Sequence, residues 1–399
     1  MPGLIDTHVH LAIYMPTNDK GEVILDTLST LGWILAGGVT TVRDAYSNRN
    51  EQNYQVLCEA NTSGKIVVPR IYISSLPDSA AMARLGTHTV GETIERLRHM
   101  GVNGIKVIGL LHDKALEVIA AAGRAGMPVY GHISAWRNDT TWENFAMSAA
   151  RAGISGIMHV GQLRSMRDTV GVALPISWGK STLAEKTVWN LLNLSHWINS
   201  DVNSEQVLID TMVSRSIWLE PTLTVLYSRD ILDSLCGDRY DYEEVRRYYG
   251  GWPKSTSRAH LTPQQEDSVR RICRGIHGFI QRFYQAGGLI LAGTDFVPSP
   301  PVGVAEEIRL LVKAGLPPIA ALRAATINAA RALQMDDQIG AVEEGKLADL
   351  LILNDSPIDE ITNVRKVWGV VANGRYLDRA ALDTLLATDT SPVNEEMKK

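Results

Sequence analysis

Five side chains able to bind a metal ion stand at comparable places in this sequence: His8, His10, His132, His159 and Asp295. His8 and His10 are two residues apart in the apolar run Leu4–His10, which reads as a β-strand. Residues i and i+2 of a strand lie on one face, so both imidazoles point the same way. An HxH pair alone is a weak signal; two strand-end histidines hydrogen-bonded to loops look the same. The others strengthen it. His132 closes Val129-Tyr130-Gly131-His132, His159 closes Gly156-Ile157-Met158-His159, and Asp295 closes Ala292-Gly293-Thr294-Asp295. Neutral imidazole and carboxylate suit zinc and similar divalent ions, and chance does not readily place five such groups at the ends of four strands. Lys106 lies inside the apolar run Gly104-Ile105-Lys106-Val107-Ile108. A lysine there is costly to bury as a cation. Either it snorkels to solvent, or burial keeps its amine neutral and reactive, able to capture carbon dioxide as a carbamate bridging two metals. His88, His99, His112, His196, His260 and His277 lie in loops or helices without matching placement and read as surface or structural residues.

The elements that must position these groups alternate in type. Apolar runs at Leu4–His10, Val39–Asp44, Ile66–Ser74, Gly104–Gly109, Val129–Ile133, Gly156–Val160, Ile217–Leu223 and Leu289–Thr294 are expected strands. Helical periodicity marks Val23–Ala36, Val90–Met100, Asp113–Ala125, with Asp113 as N-cap, and a long helix near Gln264–Ala286. Eight strands separated by helical sequence imply a parallel sheet, and closing it gives a (β/α)8 TIM-like barrel. An open doubly wound sheet is the alternative, but no GxGxxG follows the first strand. The long segments Leu163–Ser216 and Tyr227–Pro263 would sit over the active face, as decoration or as a substrate lid. Further on, Ala305–Ala314 and Pro318–Gln334 read as helices, and Ile339–Leu353 and Val364–Leu377 as short strands with turns at Glu344-Gly345 and Asn373-Gly374. The expected division is a barrel over 1–335, a partial C-terminal β-sandwich over 336–380 and a polar tail over 381–399.

Composition narrows the function classes. With 45% hydrophobic and 21% charged residues the chain is an ordinary globular one. A net charge of −5 argues against a broad nucleic-acid footprint. No stretch of about 18 apolar residues predicts a membrane span, and the first residues carry no signal-peptide pattern. The three cysteines, Cys58, Cys236 and Cys273, are far apart without CxxC spacing, so neither a disulfide framework nor a cysteine zinc site is expected. A reducing compartment, the cytoplasm, fits this usage.

Together these pieces resemble the amidohydrolase superfamily. The resemblance is carried by Pro2-Gly3-Leu4-Ile5-Asp6-Thr7-His8-Val9-His10, Gly38-Val39-Thr40-Thr41-Val42-Arg43-Asp44, the lysine strand, the two single-histidine strands and Ala292-Gly293-Thr294-Asp295. The tail adds Ala324-Ala325-Thr326-Ile327-Asn328-Ala329-Ala330-Arg331-Ala332-Leu333 and Gly345-Lys346-Leu347-Ala348-Asp349-Leu350. The pattern is most similar to the imidazolonepropionase-like and Xaa-Pro-dipeptidase-like branch with a strand-four lysine. The resemblance implies one or two divalent ions, zinc above all. His8, His10 and Asp295 would bind the first metal, His132 and His159 the second, and Lys106, carboxylated by carbon dioxide, would bridge them. It implies hydrolysis of a C–N bond in an amide, cyclic amide or dipeptide, with Asp295 as catalytic proton shuttle. Ester or lactone hydrolysis on the same site and a non-catalytic barrel are the alternatives. Two departures stand out. Ile133 and Ser134 follow the strand-five histidine where the family has a further histidine or acid. The residues that in the family precede the HxH strand and complete the small sandwich are missing, which predicts an unpaired edge, poor solubility or a homodimer covering that edge.

Overall fold

The computed structural model describes residues 1–11, 26–47, 51–133, 145–163, 194–198, 202–227, 263–295 and 303–387. Seven parallel strands lie side by side in chain order: β1 (Leu4–Val9), β2 (Val39–Asp44), β3 (Arg70–Ser75), β4 (Gly104–Val107), β5 (Val129–Gly131), β6 (Gly156–Met158) and β7 (Trp218–Glu220). All six residues of β1 and all six of β2 are buried, as expected of strands covered by helices outside and side chains inside. The covering helices include α1 (Asp26–Ala36), α2 (Glu51–Thr62), α3 (Ser79–Leu85), α4 (Val90–His99), α5 (His112–Arg124), α6 (Phe145–Ala152), α7 (Val202–Ser214), α8 (Leu223–Tyr227), α9 (Pro263–Gln285) and α10 (Gly303–Lys313).

The expected eighth strand takes its place without becoming a regular strand. Leu219 N–H donates to Leu289 O and Leu291 N–H to Leu219 O on one side. Thr7 N–H donates to Ala292 O and Asp295 N–H to His8 O on the other. Residues 289–295 thus bridge β7 and β1 and complete a TIM-like barrel.

Several boundaries differ from the expectations. β3 begins at Arg70, not Ile66, because residues 66–69 run outside the sheet. β5, β6 and β7 are three residues each. The chain leaves the last two through left-handed residues, His159 (φ 62°) and Thr222 (φ 52°), which end strand pairing. Asp113 is not an N-cap: α5 starts at His112 and Leu111 holds the cap position, leaving Asp113 to face the positive helix end from within the first turn. The expected helix Pro318–Gln334 is two, α11 (Pro318–Ala324) and α12 (Ile327–Ala332), broken where Thr326 leaves helical geometry. Of Ile339–Leu353 only β8 (Leu350–Leu353) is strand, and Val364–Leu377 is a hairpin of β9 (Val367–Ala372) and β10 (Arg375–Leu377), followed by α13 (Arg379–Ala387). Its turn, Asn373 (φ 52°) and Gly374 (φ 74°), has the paired positive φ of a type I′ hairpin.

The small antiparallel sheet runs β10-β9-β8. Its β8 side is not bare: Met1 exchanges hydrogen bonds with Leu351, and Gly3 N–H donates to Asp349 O. The expected unpaired edge is therefore occupied along Asp349–Leu351. The cysteine expectation also needs correction, since Cys273 is disulfide-bonded while Cys58 is free; distance along the chain says nothing about proximity in a barrel. Most of Leu163–Ser216 and Tyr227–Pro263, and residues 388–399 of the tail, lie outside the described residues.

Candidate metal centre

The six residues singled out by sequence converge at the C-terminal ends of the strands. His8 is fully buried, and its Nδ1 lies 2.7 Å from Glu220 Oε1. The other carboxylate oxygen of Glu220 accepts a hydrogen bond from the Arg43 guanidinium at 2.6 Å. His8 Nε2 stands 3.3 Å from Asp295 Oδ1, and His10 Nε2 lies 2.8 Å from that same oxygen. Lys106 Nζ is 3.4 Å from His8 Nε2. His159 Nδ1 pairs with Thr222 Oγ1 at 2.8 Å and lies 3.7 Å from Asp295 Oδ2. His132 packs against His159, their rings 4.0 Å apart. His8, His159 and Asp295 each offer a ligand atom within 4.8 Å of the others.

Local backbone explains how short strands deliver these groups. The i and i+2 parity of β1 sends His8 and His10 inward together. His159, Thr222 and Asp295 hold positive φ at or within two residues of the ends of their barrel segments, 62°, 52° and 55°. For β-branched Thr222 this is a strained conformation, and such strain persists where the surroundings over-determine it. Close approach needs glycine at Gly293: a Cβ there would lie 2.7 Å from both Glu220 Cδ and His8 Cβ. Gly131 (φ 156°) brings β5 against Val107 O, which a Cβ would meet at 2.0 Å, and so sets the height of His132.

Electrostatics follow from burial. Desolvation, reinforced by Lys106, holds His8 well below its usual pKa, so its imidazole is neutral and able to ligate. Burial brings Lys106 down to about 7 against the opposing pull of Asp295 and Glu220. Burial by itself would raise Asp295, but His8, the His10 hydrogen bond and Lys106 outweigh it and keep the carboxylate below its ordinary value. The donor set fits a divalent cation. Nδ1 of His8 is 2.7 Å from a Glu220 oxygen and its Nε2 is 3.3 Å from an Asp295 oxygen. Two imidazole nitrogens, of His8 and His10, meet one carboxylate oxygen in a buried space, a donor set that positive charge between them would stabilise.

Sequence reasoning missed Glu220, Arg43 and Thr222. Glu220 and Arg43 carried the signal that drew attention to Lys106, a charge in an apolar strand, and both are as deeply buried as it is. Thr222 carried no signal, since its role rests on a left-handed backbone.

A model of the amidohydrolase family matches residues 1–377 of this chain. Adenine deaminase from Mesorhizobium japonicum is 21% identical over 348 residues, covering 81% of this chain and 48% of that protein. Imidazolonepropionase from Symbiobacterium thermophilum is 40% identical over 77 residues, 18% of each chain. The chain thus spans less than half the length of the curated relatives it matches. Among solved structures, a Xaa-Pro dipeptidase with bound methionine superposes with a TM-score of 0.60 at 19% identity, covering 94% of this chain and 86% of that one. At that identity the likeness speaks for the fold.

Proposed function

This chain belongs to the amidohydrolase family, and we propose that it is a metal-dependent hydrolase cleaving a C–N bond of a small amide, cyclic amide or dipeptide. The observation that carries the reading is the meeting of His8 Nε2 and His10 Nε2 on one oxygen of Asp295, at 3.3 and 2.8 Å. His8, His10 and Asp295 would hold one divalent cation, zinc being favoured by the imidazole-rich donors. His132 and His159 would hold a second. Bound there, such a cation lowers the pKa of water and polarises the scissile carbonyl.

The residues of the chain do the rest. Asp295 keeps its carboxylate ionised in a buried place, so it can accept a proton from the attacking water and pass it to the leaving nitrogen. Lys106, with a pKa near 7, is partly a free amine at neutral pH. Its nitrogen can attack carbon dioxide and lose a proton, giving a carbamate whose oxygens would add to the ligands for the cations. Burial of His8, Lys106 and Glu220 excludes bulk water from the floor of the site.

The test is metal analysis of the purified protein combined with a substrate panel of cyclic amides, Xaa-Pro and other dipeptides, adenine and lactones. One to two divalent ions per chain, with hydrolysis of amides or amidines and not of lactones, is the expected result. Lactones turned over in preference would replace the reading with ester hydrolysis. A metal-free protein inert to the whole panel after zinc loading would reject it.

A further inference from the structure

We infer that Arg43 and Glu220 act as positioning residues that fix the tautomer of His8, and that this clamp sets the affinity of the metal site proposed above. The inference rests on that reading, but its test does not need a substrate. Glu220 sits on β7 and Arg43 on β2, across the barrel from one another, and both are buried, at 0% and 1% exposure. Each oxygen of Glu220 faces one nitrogen: Oε1 the His8 Nδ1 at 2.7 Å, Oε2 the Arg43 guanidinium at 2.6 Å. Arg43 can only donate. Glu220 therefore keeps one oxygen for Arg43 and one for His8, and as the ion-pair partner of Arg43 it faces His8 as an acceptor. His8 must supply the proton on Nδ1, which leaves Nε2 as the bare lone pair directed at Asp295.

Arg43 is itself fixed. Its Nε donates to Thr7 O at 2.6 Å, on the strand that carries His8. Its guanidinium lies over the rings of Tyr130 and Trp218, 4.1 and 4.9 Å from their centroids. The cation thus ties Glu220 to the residue before His8, so the ring and its hydrogen-bond partner move as one piece. Metal-ligating histidines depend on such an outer partner for ring orientation and tautomer. Here the partner comes from β7, across the bridging segment 289–295 from His8, and is charge-balanced from a third strand.

The decisive variant is Glu220→Gln, which keeps the shape and replaces one acceptor by a donor. If the amide oxygen faces Arg43, the NH2 faces His8 and pushes its proton to Nε2, which blocks ligation. If the amide oxygen faces His8, the NH2 meets the guanidinium, two donors in a buried contact. Either way the clamp fails. The experiment uses the full chain stripped of metal. Nitrogen-15 NMR of labelled histidine, with His8 assigned from the spectrum of His8→Asn, reads the tautomer, and chelator competition reads zinc affinity. In the wild type His8 is expected as Nδ1–H. In Glu220→Gln that form is lost or mixed, and zinc binds about 10- to 100-fold more weakly. An Nε2–H tautomer in the wild type overturns the inference. So does a Glu220→Gln variant that binds zinc within threefold of wild type, or that loses stability with the tautomer unchanged. Should Glu220→Gln fail to fold, the wild-type tautomer and Arg43→Lys decide the question. Lysine keeps the charge but cannot hold Thr7 O and Glu220 together, so zinc affinity should fall at least fivefold, and unaltered affinity would overturn the clamp. Activity that fails while the tautomer and affinity results hold would count against the hydrolase reading alone.

Discussion

Gly293→Ala should damage the centre without touching a ligand. The added methyl would stand 2.7 Å from Glu220 Cδ, 2.7 Å from His8 Cβ and 2.9 Å from Glu220 Cγ. Comfortable carbon–carbon contact is about 3.5–4.0 Å, so each neighbour must give by roughly 1 Å. Neither is free to do so, because His8 and Glu220 are fully buried and joined by a 2.7 Å hydrogen bond. Overpacking of this kind costs about 1–3 kcal/mol. Stretching the charged hydrogen bond toward 3.5 Å forfeits about 1.5–3 kcal/mol more. The expected loss is therefore about 2.5–6 kcal/mol, or about 3–7 °C in Tm for a chain of this length unfolding as one unit. Urea unfolding of the metal-free protein measures the loss directly, and chelator competition should show weaker zinc binding in the same variant. Gly123→Ala is the matched control. It lies in α5 with nothing within 4 Å of its added Cβ, so alanine there should be neutral or stabilising by up to about 1 kcal/mol. A Gly293→Ala protein within about 0.5 kcal/mol of wild type, holding zinc equally well, would refute the close-packing account of the eighth segment.

The other predictions concern ligands and titration. His8→Ala combined with His10→Ala should remove at least one equivalent of bound metal; unchanged metal content by elemental analysis would reject their assignment. Lys106→Ala should lower metal occupancy and abolish any gain from bicarbonate during metal reloading, whereas two metals and near-normal rates in that variant would redraw the site around one ion. Glu307 on α10 is fully buried and accepts hydrogen bonds from Leu223 N–H, Thr224 N–H and the Thr224 hydroxyl, capping α8 from outside. Burial pushes its carboxyl from 4.5 up to about 8. Folding thus favours the protonated form, so the stability this group lends is complete below pH 4.5 and is lost as pH climbs through 8. Glu307→Gln should flatten the decline in urea midpoint between pH 5 and 8, and an unchanged slope would show that the carboxyl does not titrate there.

The charge pattern inside the barrel has a consequence for how the site is built. His8, Arg43, Lys106 and Glu220 are all buried, and replacing such a cluster by apolar side chains is often neutral or stabilising. Its presence at the strand ends, beside three non-glycine residues with positive φ, marks a place where stability yields to function.

The sequence by itself determined which residues could do chemistry and where along the chain the strands would end. Period-two parity placed His8 and His10 on one face, and the apolar runs before His132, His159 and Asp295 put each at a strand end. Those are local properties, decided by backbone geometry within a few residues. The alternation of strands and helices determined the barrel as well, because parallel strands need helical crossovers. Helix ends were less legible: Asp113 is a good cap by type, but the chain turned two residues earlier, at Leu111. The disulfide at Cys273 and the pairing of Met1–Gly3 with β8 were not legible, since both join segments far apart in sequence. The support of the candidate metal centre was decided only by the tertiary structure. Glu220 is 212 residues from His8 and 177 from Arg43, and no spacing rule links them. They meet because residues 289–295 close the ring between β7 and β1, where glycine at 293 allows the close approach of Glu220 and His8 and leaves Glu220 buried between His8 and Arg43.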